Sequence, residues 1–226
     1  MSDSAPTTLP GLNAFVDLSH LDLTVDLRTA RAAGLAGVLH KATQHTDFED
    51  PCYAERLAQS RELGLLTGAY HFCTAASVDR QLDHFLRVLD RHDRAGVLPC
   101  VDWEPNPATA QGTLSRIQLF DFVEKFQART GVYPVLYGGY WMLEQLGNLH
   151  DPGPLCHCPL WQGFYSHAFG YLTSIWDRWT FLQYTDGTLG PLPHKFEGIG
   201  AVDRNLFNGD LTAARRFWEC HALLAR

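Results

Sequence analysis

From Asn13 onward, short apolar runs rich in β-branched and aromatic residues alternate with longer stretches whose apolar positions recur three and four residues apart. The short runs read as strands at 14–17, 37–41, 66–72, 97–103, 134–137, 159–164, 180–184 and 199–203. Helical periodicity occupies 25–33, 53–63, 78–91 and 114–130, all between the first five strands, and the later connections are shorter and rich in Gly and Pro. Strand and helix in alternation are the rhythm of βα units around a parallel sheet. The pattern predicts an α/β fold, a TIM-like barrel whose last part is made mostly of strands.

Barrel enzymes assemble their sites at the carboxyl ends of strands and on the loops that follow. Polar residues close nearly every predicted strand: Asp17, Lys41, His71, Asp102 with Glu104, Tyr137, Gln183 and Asp203. One aspartate after a strand is usually a helix cap or a turn residue. So many polar ends in one barrel converge on a concavity, where desolvation and mutual repulsion move carboxyl pKa values. Val101-Asp102-Trp103-Glu104 closes the fourth run, and strand alternation sends both acids to the same side. Two carboxylates so close cannot both ionise without cost, so one keeps a proton for donation near neutral pH and the other stays an anion. That is the minimum equipment of a glycosidase. One carboxyl protonates the leaving oxygen, while the other, or the sugar's own acetamido group, attacks the anomeric carbon.

With 226 residues, 46% of them hydrophobic, the chain can bury one substantial core. No linker, charge block or internal repeat divides it, which predicts a single barrel domain over 13–226 behind an irregular leader at 1–12. The leader lacks a basic start followed by an apolar stretch, and no run of about 18 apolar residues is long enough to cross a bilayer. The expectation is a product made in the cytoplasm without a signal peptide, with no membrane insertion and with its six cysteines reduced. Cys156-His157-Cys158 is too tightly spaced for a zinc clip, and no second pair follows. A net charge of -7 argues against a nucleic-acid surface and against electrostatic capture of an anionic polymer, which would have to be held locally by hydrogen bonds and stacking.

A series of short motifs then becomes specific. Phe15-Val16-Asp17-Leu18-Ser19-His20, Val38-Leu39-His40-Lys41-Ala42-Thr43, Asp50-Pro51 and Gly68-Ala69-Tyr70-His71-Phe72 precede Asp102-Trp103-Glu104. Gly131-Val132-Tyr133-Pro134-Val135-Leu136-Tyr137, Leu160-Trp161, Leu182-Gln183-Tyr184-Thr185 and Val202-Asp203-Arg204-Asn205-Leu206-Phe207 follow it. In order and spacing this series resembles glycoside hydrolase family 25, the Chalaropsis-type lysozymes or N-acetylmuramidases, over nearly the whole chain after Leu12. The resemblance implies an irregular TIM-like barrel, (β/α)5(β)3. It also implies hydrolysis of the β-1,4 bond between N-acetylmuramic acid and N-acetylglucosamine in peptidoglycan, with retention through the acetamido group and without a metal or organic cofactor. Carried over, Glu104 is the general acid and later base, and Asp102 orients the acetamido group as it attacks. Asp17 and Asp203 tune Glu104 and hold the sugar. Tyr70, Tyr137, Trp161 and Tyr184 match groove positions whose flat faces suit sugar rings, and Lys41 and Gln183 are hydrogen-bonding floor residues. The chain departs from the family pattern at Gln44-His45-Thr46, where an acidic residue and glycine are usual, and at Gly163-Phe164.

Peptidoglycan lies outside the cytoplasm, so delivery into a periplasm or cell wall is implied. Two routes fit: a phage lysin, or an injected antibacterial effector with a cognate immunity protein and a secretion-machine partner. The resemblance covers a catalytic barrel with no separate wall-binding domain. Two other functions are compatible with the residues. One is a non-catalytic glycan-binding module on the same barrel. The other is a metal-dependent hydrolase using Asp17, His20, His40, His71 and Asp102.

Overall fold

The computed structural model describes residues 11–106, 110–147, 149–166 and 173–225. Most of the expected leader, residues 1–10, lies outside the described residues; Leu12 is within them and already pairs with Phe207.

The first half alternates as the periodicity predicts: β1 (Leu12–Leu18), α1 (Leu27–Ala32), β2 (Gly37–Gln44), β3 (Phe48–Glu49), α2 (Tyr53–Glu62), β4 (Leu66–Phe72), α3 (Val78–Arg91), β5 (Leu98–Asp102) and α4 (Arg116–Thr130). The second half holds β6 (Val135–Gly138), α5 (Tyr140–Leu146), a 3-10 turn at Gly153–His157, β7 (Leu160–Gly163), β8 (Phe181–Asp186), the short β9 (Lys195–Phe196) and β10 (Gly200–Ala201), β11 (Asp203–Phe207) and α6 (Leu211–His221). Helix starts carry their own signals. Asp26 and Ser77 cap α1 and α3, and Ser115 with Gln118 forms a reciprocal capping box on α4. Gly131, at a left-handed φ of 82°, stops α4 where a side chain would be strained.

The strands β1, β2, β4, β5, β6, β7 and β8 run parallel in that order, and β11 pairs antiparallel with both β8 and β1, closing an eight-stranded barrel. The first five wall strands, β1, β2, β4, β5 and β6, are each followed by a helix, and β7, β8 and β11 complete the wall before α6 ends the chain's order of elements, which is the (β/α)5(β)3 barrel expected. Alternation sorts the side chains. Phe15, Leu39, Leu98, Cys100, Val135 and Phe181 fill the lower barrel, while Val101, Leu136 and Leu160 face the helical layer of α3, α4 and α5. Gly68 leaves room inside for Leu39: a Cβ there would stand 2.3 Å from Leu39 Cδ2, so that side chain would have to shift.

Three elements differ from the periodicity, the first being α5, which falls where only a short connection is expected. The predicted strand at 199–203 is not a barrel strand. Ile199 and Val202 are apolar because they pack with Leu27 and Ala30 under α1, and the wall strand β11 begins at Asp203. Helix α6 was not predicted, since only Ala214 and Trp218 of it are buried. Its place is the lower mouth of the barrel, where Trp218 stacks on Phe15 at 5.6 Å and donates its indole N–H to Thr67 O at 2.8 Å.

Candidate active site

The upper mouth holds a cleft of ≈ 180 Å³ lined by Asp17, Tyr70, Asp102, Glu104, Tyr137, Trp161, Tyr165, Gln183, Asp186 and Asp203. Strand geometry delivers them. Asp17 lies near the end of β1 and Asp102 ends β5, and Tyr70, Tyr137, Trp161 and Gln183 share the inward parity of β4, β6, β7 and β8. Asp203 begins β11 instead of ending it. Because β11 is antiparallel, its start lies at the rim where the parallel strands end, directly across from Asp17 on one side and Asp186 on the other.

Asp102 and Glu104 take the same side as alternation requires. Trp103 between them turns into the helical layer, donating to Leu114 O at 2.7 Å and meeting Trp141 edge-on at 5.0 Å. Asp102 is buried, and its Oδ1 has no hydrogen-bond partner among the described residues. Burial first, then the Glu104 charge, raise its pKa well above the usual carboxylate range, with Lys41 opposing. Burial also raises Glu104, offset by the Lys41 ammonium and reinforced by Asp17. Burial and mutual repulsion of the acids therefore favour a proton on the pair, against the pull of Lys41.

A second carboxyl pair faces the first. Asp17 accepts from Gln183 Nε2 at 3.0 Å to both oxygens and from Asn205 Nδ2 at 2.7 Å. Asp203 hydrogen-bonds to Asp17, and burial together with the Asp17 charge pushes Asp203 up to about 9. Asp17 rises only to about 6, since hydrogen bonds from Asn205, Gln183 and Asp203 work against its burial. Near pH 7, Asp203 is the protonated donor of this pair and Asp17 the anion.

Two buried acid pairs in an aromatic cleft, at the carboxyl ends of a (β/α)5(β)3 barrel, are a hydrolytic arrangement. The model of glycosyl hydrolases family 25 matches residues 16–190. The chain belongs to this family. It is 29% identical over 212 residues to lysozyme M1 of Streptomyces globisporus, covering 88% of this chain and 68% of that one. It is 26% identical to an N,O-diacetylmuramidase of Arthroderma benhamiae, over 89% of this chain and 84% of that one. The crystal structure of the bacterial lysozyme from Streptomyces coelicolor superposes with a TM-score of 0.76 at 26% identity, covering 95% of this chain and 98% of that one. The chain is thus a glycoside hydrolase of the lysozyme type, and its last wall strand, with Asp203, lies beyond the residues that the family model matches.

Of the predicted site residues in this family 25 barrel, Asp17, Tyr70, Asp102, Glu104, Tyr137, Trp161, Gln183 and Asp203 line one cleft. Lys41 is not among its lining residues. Its Nζ donates to Gln44 Oε1 at 2.6 Å and stands 4.9 Å from the Phe72 ring centroid, close enough for its charge to act on Asp102 and Glu104. Tyr184 is a correction. One residue on from the inward Gln183, it faces out of the barrel and bonds Asn13 and Pro193 O.

The histidines are also placed elsewhere. His71, expected at a polar strand end, points outward into the helical layer, stacked on Phe122 at 5.7 Å and bonded to Thr43 and Gln81. His20 pairs with Asp50, and His40 bonds Lys41 O and Arg56. Among the described residues, no three His, Cys, Asp or Glu side chains group so as to hold a metal ion.

Three polar contributors were not predicted: Tyr165, Asp186 and Asn205. The signal for Asn205 and Tyr165 was the same two-residue spacing used for Asp102 and Glu104. Asn205 follows Asp203 by two, and Tyr165 lies at an even spacing from Trp161. Asp186 also serves as a turn residue, accepting from Thr188 N and Leu189 N.

Proposed function

We propose that the barrel, as one catalytic unit over 13–226, hydrolyses the β-1,4 bond between N-acetylmuramic acid and N-acetylglucosamine in peptidoglycan, with retention of anomeric configuration. The observation that carries the reading is Asp102 Oδ1, a buried carboxylate oxygen lining the cleft with no hydrogen-bond partner among the described residues. An acetamido N–H is the donor such an acceptor fits, since an unpaired buried polar atom is costly. The muramidase and lysozyme names of the relatives support the same substrate.

In this reading the acetamido N–H donates to Asp102, stabilising its anion and thereby moving the shared proton onto Glu104. Glu104 gives that proton to the leaving glycosidic oxygen as the acetamido carbonyl oxygen attacks the anomeric carbon from the opposite face. The C–O bond breaks and a cyclic oxazolinium forms. Glu104, now a carboxylate, takes a proton from water as that water opens the ring from the leaving-group side. Two inversions give net retention. Asp17 and Asp203 supply a negative acceptor and a neutral donor for the sugar's hydroxyls, while Tyr70, Tyr137, Trp161 and Tyr165 supply flat surfaces for its ring.

Digestion of purified peptidoglycan, borohydride reduction of the new ends and mass spectrometry test this directly. Muramitol ends from wild type and none from Glu104→Gln are expected. Glucosaminitol ends would mean a different bond, and no cleavage by the wild type would favour a glycan-binding module.

A further inference from the structure

Asp17 accepts the most side-chain hydrogen bonds of the cleft carboxylates described, yet no lysine, arginine or histidine forms an ion pair with it among the described residues. Its acidic neighbours are Asp203, Asp22, Asp102 and Glu104. Tyr70, Tyr137, Tyr165 and Cys100 also face it, and burial keeps all four neutral. These groups facing Asp17 are uncharged or negative, and the contacts that favour its anion are hydrogen bonds from Asn205, Gln183 and Asp203.

Two of those donors are amides, and each is locked from behind. An amide can present either its oxygen or its NH2 group, and its partners decide which. An indole N–H can only donate, and that of Trp161 meets Asn205 Oδ1 at 2.7 Å, so the Asn205 NH2 faces Asp17. The Tyr137 and Tyr165 hydroxyls both donate to Gln183 Oε1, at 2.7 and 2.6 Å, and turn the Gln183 NH2 to Asp17 in the same way. Asn205 and Gln183 are register partners on β11 and β8, so the two amides stand side by side in the wall.

We infer that Asn205 is a positioning residue working beside Gln183: its amide, locked by the Trp161 indole, aims a fixed N–H at Asp17 and keeps that side chain an anionic acceptor facing Asp203. The inference rests on the muramidase reading only for what Asp17 then does, which is to accept a hydroxyl of the sugar. Gln183 is accordingly a partner of Asp17 and acts on the sugar through it. Loss of the Asn205 donor raises the pH at which Asp17 ionises, because this bond leads the influences that hold Asp17 at about 6 against its burial.

The test is titration of Asp17 by 13C NMR of carboxyl-labelled aspartate, with its resonance assigned by its absence in Asp17→Asn. Asn205→Leu removes the donor at similar volume. Asn205→Ala also removes it, without adding a charge, and serves if the leucine variant does not fold. An upward shift of the Asp17 midpoint by about one pH unit is expected in either folded variant. The acid limb of kcat/KM should move up with it, with KM nearly unchanged. An Asp17 midpoint that stays in place in a folded variant overturns the inference, whatever happens to activity, and leaves Asn205 a structural residue. A wild type that cleaves no peptidoglycan would sink the substrate reading alone, since the titration still decides this one.

Discussion

At the residue scale, the two acid pairs behave differently because their partners differ. Asp102 has an oxygen without a partner, so replacing it with Asn removes charge where the acetamido group is proposed to dock. We expect Asp102→Asn to lower kcat by ~10²–10³ with little change in KM, checked by initial rates of reducing-end release. Asp203 holds its proton up to about 9 and is already neutral at pH 7, whereas Asp17 beside it is the anion. Asn resembles a neutral carboxyl, so Asp203→Asn should retain activity at pH 7 within about tenfold of wild type, and Asp17→Asn should lose more. The same shift sets a stability trend. A carboxyl whose folded pKa lies above its unfolded value of 3.8 stabilises the fold fully below that value, and the contribution fades as pH rises to about 9. The melting temperature should therefore fall between pH 5 and pH 9 (roughly the span between the two pKa values). The fall should be shallower in Asp203→Asn.

At the element scale, the barrel has to be closed below for the cleft to be held above. Helix α6 does this with one large side chain. Trp218 is buried against Phe15, Phe181 and Phe217 and bonded to Thr67 O. Trp218→Ala should cost about 3–5 kcal/mol in urea unfolding, the usual loss for a large aromatic removed from a core. A cost below about 1 kcal/mol would mean that α6 is only draped on the barrel. Helix α6 was illegible in the sequence because its surface is mostly polar and its anchor is a single tryptophan, so packing rather than periodicity holds it in place. The wall strand β11 was misplaced for a related reason. Ile199 and Val202 are as apolar as strand residues, but their burial is against α1, which periodicity alone cannot distinguish from a barrel wall.

At the scale of the whole molecule, a net charge of -7 and an acidic cleft meet a substrate that is itself anionic in the proposed reading. Moderate salt should then raise kcat/KM on peptidoglycan, by roughly two- to fivefold between 10 and 150 mM, as the Debye length contracts to about 8 Å. A steep fall with salt would instead point to electrostatic capture. No helix among the described residues is long and apolar enough to cross a membrane. Much of this protein was determined by its sequence alone: the strand and helix rhythm, the shared side of Asp102 and Glu104, and the family series from Asp17 to Asp203. These are consequences of local periodicity, which the chain carries at every position. Only the tertiary structure decided that β11 runs antiparallel, which puts Asp203 at the active rim from the start of its strand. It also decided that Asn205 joins Trp161 to Asp17. Those outcomes depend on strand direction, register and contacts between residues as much as 188 positions apart, which barrel closure sets and local pattern does not encode.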